Sequence, residues 1–378
     1  MLNGPVRIFH IAGSARWVGG DRLILQMADH LDLHVFPMAV ALPEHGPLEG
    51  ELRRRHVPFE MVPLSPFWNP FSVRALSRLI REWKPDIVQG HGAQSNFYAR
   101  LAAGRVLCLS TIHNAIADYP VRAWRKGLYS AADKLTARRS AAVVCVAECL
   151  REEFLRRCPG LWERTHVIPN GVDLERYDPS RYSRDLARRT FELGDRWTIL
   201  VPGRLAVGKG HAQLLEAVAR IRNILPPFRI LFAGEGPLAD ALRQKARSLG
   251  MEADAVFLGV RQDIPELLAA ADVVVLPSVA EGLPAALLEA LAMEEPVIAS
   301  DVTGVSEVMP SGEEGYRVPP GSVEKLSETL LRLLWDKEDA RRRGEAGRHR
   351  VQREYDLKKI LAKWEALYRE LAGDVLIE

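Results

Sequence analysis

No apolar run in this sequence approaches the length needed to span a bilayer, so any membrane contact is expected to be peripheral. A cleaved leader is not expected either. The first apolar stretch, Val6 to Ala12, is short, carries Arg7 and His10, and lacks a cleavage pattern. The four cysteines (Cys108, Cys145, Cys149, Cys158) form no CxxC pair and no zinc-like spacing. Cys108 and Cys145 lie in apolar runs and read as small buried residues, which suits a reducing cytoplasm. Charge of one sign is missing as well: a net +2 argues against a general nucleic-acid binder. A dinucleotide fingerprint is absent. Gly13, Gly19 and Gly20 lack GxGxxG spacing, and Pro237 and Asp240 break the pattern begun by Gly234 and Gly236. No repeat of solenoid length appears.

What is present is alternation. Strand-like runs (Val6 to Ala12, His34 to Leu42, Val57 to Pro63, Asp86 to Gln89, Val106 to His113, Ala141 to Ala147) are separated by helix-like ones. The helices are Asp21 to Leu31, Pro47 to His56, Phe71 to Trp83, Ala93 to Ala103, a basic Arg122 to Arg139, and Glu148 to Arg157. After a turn at Pro169-Asn170-Gly171 a second series starts with a strand at Thr198 to Pro202 and a helix at Gly210 to Ile221. With 378 residues, 47% hydrophobic, the chain predicts two α/β domains with mostly parallel, doubly wound sheets. Their ranges are 1–170 and 171–356, followed by an amphipathic helix in 357–378 that carries Leu357, Ile360, Leu361, Trp364, Leu367, Tyr368 and Leu371 on one face.

The chemistry concentrates between Ala271 and Met309. Val273 to Leu276 is a β-branched run suited to a parallel strand buried on both faces. Pro277 ends it, Gly282 and Leu283 precede Pro284, and Pro284 to about Met293 reads as a helix with proline at its first position. Glu281 lies before that helix and Glu289 within it, both placed toward the carboxyl ends of the strands, where such sheets bind ligands. The helix start attracts an anion, most naturally phosphate. Arg204 and Lys209, on the loop after Thr198 to Pro202, supply two fixed cations suited to a diphosphate.

These segments resemble the family 4 retaining glycosyltransferases, which have the GT-B fold and a Glu-x7-Glu motif. The resemblance rests on EGLPAALLEALA, PVIASDVTGVSEV, GRLxxxKG, HVIPNGVD and the N-terminal GGDR. It is dense from His166 to Met309 and looser before. One departure is Glu294-Glu295, where the family has a glycine before Pro296. The resemblance implies two Rossmann-like domains facing a central cleft, the first for the acceptor and the second for a nucleotide-sugar donor, with the last helix crossing back to the first domain. It also assigns roles. Arg204 and Lys209 hold the diphosphate, Glu281 the sugar, and Glu289 the ribose. His113 in TIH contacts the transferred sugar, while Gly19, Gly20, Gly234, Val260, Arg261, Gly282 and Leu283 frame the donor. A DxD pair, which holds a metal in other glycosyltransferases, is missing here, so no metal and no cofactor is expected beyond the donor as co-substrate.

The expected reaction is hexosyl transfer with retention, from a UDP-hexose or, as runner-up, GDP-mannose. The acceptor is a glycan or glycolipid, such as a lipopolysaccharide-type core. Basic and aromatic residues in the first domain (Arg53 to Arg55, the Arg122–Arg139 helix, and Pro66 to Phe71) suit an anionic lipid surface, and equally a solvated helix face and a packed core. A soluble enzyme acting on a small metabolite is the alternative acceptor reading. A nucleotide-sugar isomerase on the same fold lacks an acid–base set for a sugar C–H proton, and a silent binding module sits poorly with intact Arg204, Lys209, Glu281 and Glu289. The sequence leaves the oligomeric state open.

Overall fold

The computed structural model describes residues 4–15, 19–65, 68–119 and 121–374. The chain divides into two compact units, Met1–Asn170 with Lys358–Glu378, and Gly171–Leu357. In the first unit a seven-stranded sheet takes the order β3-β2-β1-β4-β5-β6-β7. Its strands are β1 (Ile8–Ile11), β2 (Met38–Leu42), β3 (Phe59–Met61), β4 (Ile87–His91), β5 (Leu107–Ile112), β6 (Ala142–Cys145) and β7 (Thr165–Val167). All neighbouring strands are parallel. The helices between them are α1 (Gly19–His30), α2 (Pro47–Arg54), α3 (Pro70–Trp83), α4 (Ala93–Ala102), α5 (Ala123–Thr136) and α6 (Glu148–Arg157). Strands such as MAVAL and AVVC are buried throughout because helices cover both faces.

The second unit repeats the scheme with a six-stranded sheet of order β10-β9-β8-β11-β12-β13. It contains α7 (Arg184–Thr190), β8 (Trp197–Pro202), α8 (His211–Ile221), β9 (Phe228–Ala233), α9 (Ala239–Ser248), β10 (Ala255–Gly259), α10 (Ile264–Ala270) and β11 (Val273–Leu276). It continues through α11 (Ala285–Ala292), β12 (Val297–Ser300), α12 (Thr303–Val308), β13 (Tyr316–Val318), α13 (Val323–Trp335) and α14 (Lys337–Glu354). One core of this unit joins Ile199, Val201, Phe232, Val275 and Ile298 from the sheet to Leu214, Val218, Leu326 and Leu330 from helices.

The last helix, α15 (Leu357–Asp374), belongs to the first unit from Lys358 onward. Trp364 and Tyr368 are fully buried, and the Tyr368 hydroxyl donates to Gln89 Oε1 at 2.5 Å. Gln89 in turn donates to Thr111 Oγ1 at 2.8 Å, so the helix is tied through β4 to β5. The apolar spacing read from the sequence thus lies entirely on the buried side.

Some local structure departs from the sequence reading. β7 and β13 are three-residue edge strands, too short to show a period, and α7 and α12 had no apolar stripe long enough to announce them. Pro284 is the N-cap of α11 rather than its first turn, with extended backbone at ψ 115°. The cluster Arg53 to Arg55 is not a free basic patch. Arg53 pairs with Glu49, Arg54 with Glu51, and Arg55 with both Asp29 and Glu51. Within the aromatic stretch, Pro66 and Phe67 lie outside the described residues, while Trp68 is half exposed and Phe71 is 74% exposed.

Candidate active site

In the second unit the strand order reverses between β8 and β11, which places the loops after these two strands on either side of a topological switch point. The β8 loop carries Arg204 and Lys209, and the β11 loop carries Glu281, Gly282 and Leu283. Backbone hydrogen bonds join neighbouring loops. Val279 N donates to Gly208 O at 2.8 Å, and Leu205 N to Glu235 O at 2.9 Å. Glycine permits the closest approaches. At Gly210, whose φ is +71°, a Cβ would sit 1.9 Å from the Pro277 carbonyl oxygen; at Gly304 it would sit 1.3 Å from that of Gly282. The four loops after β8, β9, β11 and β12 therefore form one tightly packed rim.

On that rim Lys209 Nζ meets Glu281 Oε1 at 2.5 Å, with the lysine side chain 34% exposed and the glutamate 15%. Arg204 is exposed and makes no ion pair among the described residues. Glu289 is buried in α11. The helices that start here have no side-chain cap: Gly210 precedes α8 and Pro284 precedes α11. By contrast, Ser183 caps α7 and Asp336 caps α14. Uncapped first-turn N–H groups favour an external anion. His211, at the start of α8, is buried with its Nδ1 lacking a partner among the described residues. Burial, aided by Lys209, lowers its pKa to about 4.

The remaining positions fall less centrally. Gly234 bridges to Gly259 across β9 and β10. Val260 is half exposed, and Arg261 Nε donates to Asp263 Oδ1 at 2.8 Å. At the end of α11, Glu294 takes the positive φ of 61° that a glycine adopts more easily. Glu295 N nevertheless donates to Ala290 O at 3.1 Å, and Arg348 pairs with Glu294 at 3.3 Å, so the helix closes without the glycine.

In the first unit His113 follows β5, His91 ends β4 and His10 lies on β1, three neighbouring strands that include that sheet's own switch point. All three imidazoles are buried. His10 Nδ1 lies 3.0 Å from His91 Nε2, and His91 Nδ1 lies 3.3 Å from His113 Nε2. Burial lowers the pKa of His10 to about 3 and of His113 to about 4, and holds His91 well below the usual range. Gly19 and Gly20 open α1, and a Cβ at Gly20 would lie 3.3 Å from His113 Nε2. The sequence reading singled out His113. It passed over His10 and His211, although a histidine inside the apolar run VRIFHIA is itself a signal of a satisfied polar contact.

Residues 17–176 match the family model described as Glycosyltransferase Family 4, and residues 183–350 match that described as Glycosyl transferases group 1. EpsD of Bacillus subtilis (strain 168), named as a glycosyltransferase, is 30% identical over 304 residues, 77% of this chain and 78% of EpsD. The chain belongs to the family 4 glycosyltransferases. The Escherichia coli UDP-Gal:alpha-D-GlcNAc-diphosphoundecaprenol alpha-1,3-galactosyltransferase is 26% identical over 351 residues, 89% of each chain. The structure of Anabaena Alr3699/HepE in complex with UDP and glucose superposes with a TM-score of 0.84 at 20% identity, covering 97% of this glycosyltransferase and 100% of that chain. That likeness, with the two parallel sheets, establishes the GT-B fold for this family 4 glycosyltransferase.

Proposed function

We propose that this glycosyltransferase moves a hexose from UDP-hexose to a lipid-linked glycan acceptor, with retention of anomeric configuration and without a metal ion. The observation that carries the donor assignment is the rim of the second unit, where Lys209, Arg204 and two uncapped helix starts converge at a switch point. In the reaction the C1–O bond to the β-phosphate breaks and the pair of electrons leaves with UDP. The acceptor hydroxyl oxygen bonds to C1 on the same face, and its proton passes to the departing diphosphate. Negative charge grows on that diphosphate as the bond stretches. Arg204, Lys209 and the N–H groups of α8 and α11 meet it, which is electrostatic stabilisation of the kind a metal supplies elsewhere. Glu281, released from Lys209 as the diphosphate takes the lysine, accepts hydrogen bonds from sugar hydroxyls, and Glu289 is assigned to the ribose. Gly234, Val260 and Arg261 are assigned to the nucleoside, and Gly19, Gly20 and His113 to the sugar side by resemblance.

UDP is preferred because the Escherichia coli relative is named for UDP-Gal and the Anabaena structure holds UDP. The lipid acceptor rests on that relative's diphosphoundecaprenol and on the outer face of α5. Trp124 (61% exposed), Leu128, Ala131 and Leu135 (78% exposed) fall at i, i+4, i+7 and i+11, one helix face, bordered by exposed Arg122, Arg125, Lys134, Arg138 and Arg139. Contact with the cytoplasmic face of an anionic membrane follows from this reading. Among the described residues no helix is long and apolar enough to cross a membrane. Incubation with UDP- and GDP-sugars in EDTA, scoring acceptor-dependent release of the nucleoside diphosphate, tests the proposal. Release from GDP-mannose alone would replace the donor, and dependence on added magnesium would remove metal independence. Co-sedimentation with anionic vesicles at low and high salt tests the membrane contact, which screening should weaken.

A further inference from the structure

We propose that His10, His91 and His113 act as one tautomeric unit, in which His10 and His91 are positioning residues that fix which role His113 Nδ1 offers to a bound sugar hydroxyl. The inference rests on the sugar-side role assigned to His113. Its geometric basis is the unbroken order of contacts His10 Nδ1, His91 Nε2, His91 Nδ1, His113 Nε2, at 3.0 and 3.3 Å. The His91 and His113 rings are near-parallel, 19° apart, and the His10 and His91 rings are tilted by 33°. A neutral imidazole has one N–H and one bare nitrogen. His91 uses both nitrogens within the chain, so it donates to one neighbour and accepts from the other. Two settings satisfy both contacts. Either all three rings carry their proton on Nδ1, or all three carry it on Nε2; any mixed arrangement sets two lone pairs or two hydrogens against each other.

The settings differ at the far end. His113 Nδ1 is buried and has no hydrogen-bond partner among the described residues. With protons on Nδ1 it would be a buried N–H without an acceptor, whereas with protons on Nε2 it is a bare acceptor. Orphaned buried donors are rarer in proteins than under-used acceptors. The unliganded chain therefore takes the Nε2–H setting, and His113 Nδ1 accepts from a hydroxyl when one arrives. Protonation does not compete, because burial disfavours the imidazolium at each ring. Among the described residues, no group of three or more His, Cys, Asp or Glu side chains is arranged to hold a metal ion, this one included.

The test uses the full chain labelled with nitrogen-15 histidine, without ligand, with two-bond proton–nitrogen correlation and each ring assigned from single His→Gln variants. The expected result is one tautomer, Nε2–H, for all three rings. In His10→Leu, His91 and His113 should then show mixed tautomers, while the His10→Asn amide, able to replace Nδ1, restores a single one. Kinetics provide the second readout. His10→Leu should lower kcat/KM for the sugar nucleotide by about 3- to 10-fold, the worth of one hydrogen bond, and His10→Asn should recover most of it. Mixed tautomers in the unsubstituted chain overturn the proposal, as does a His113 tautomer indifferent to His10. Equal kcat/KM in His10→Leu and His10→Asn overturns it too. The tautomer measurement needs no turnover, so a failed donor assignment and a failed relay give different results.

Discussion

Replacing Lys209 with alanine separates binding of the diphosphate from folding. The side chain is 34% exposed and its partner Glu281 15%, with 2.5 Å between charged atoms. A pair this open to solvent is screened, and its contribution to stability is about 0–1 kcal/mol. Loss of the lysine should therefore lower Tm by no more than about 2–4 °C. Toward the diphosphate the same ammonium makes a charge-assisted hydrogen bond worth about 1.5–3 kcal/mol. Converted at about 1.4 kcal/mol per decade, this gives a fall in kcat/KM of roughly 10- to 150-fold. The exposure of Lys209 places the expected fall toward the lower figure. Initial rates across a UDP-hexose series, with calorimetric Tm on the same preparations, make the comparison. A change in kcat/KM of less than threefold at unchanged Tm would refute the phosphate role, and a large loss of Tm would show the pair to be structural.

Glu281→Gln should bind UDP at least as well as the parent, since it releases Lys209, while turnover of the hexose donor falls at least tenfold; weakened UDP binding in calorimetry would contradict this division of roles. Stability should also depend on acid. His10, His113 and His211 have folded pKa values of about 3, 4 and 4 against an ordinary 6.5. Below pH 6.5 the unfolded chain takes up protons that the folded chain refuses, so the full stability holds above that pH and is lost as pH falls toward 4. Each histidine can contribute a slope of up to about 1.4 kcal/mol per pH unit, and urea unfolding at pH 5 to 7.5 should show the decline; a flat profile would refute it. Asp133→Ala should cost about 3–5 kcal/mol by denaturant unfolding, because Asp133 is the partner of buried Arg100 and of Arg157, each at 2.6 Å. A cost below 1 kcal/mol would show those arginines to be repaired by water.

Much of this was legible beforehand because the chemistry sits on loops announced by strongly patterned neighbours. The run VVVL followed by Pro277, and the helix former run AALLEALA, fixed where Glu281 and Glu289 fall relative to the sheet. The same holds for Arg204 and Lys209 after WTILVP. What escaped is three-dimensional. Nothing in the order of residues says that Gly304 touches the Gly282 carbonyl, or that a glutamate at position 294 adopts a positive φ with Arg348 beside it. The basic look of Arg53 to Arg55 dissolved once α2 brought Glu49 and Glu51 within reach at helical spacing. The histidine row was hidden because its members are 81 and 22 positions apart, joined only by the strand order that sets β1, β4 and β5 side by side.

The most direct measurement is calorimetric titration of the full chain with UDP, and separately with uridine, in EDTA. The account predicts a single UDP site whose affinity exceeds that for uridine by at least tenfold, because Arg204, Lys209 and the starts of α8 and α11 act on the diphosphate. Equal affinities, no UDP binding, or binding that appears only with added magnesium would contradict it.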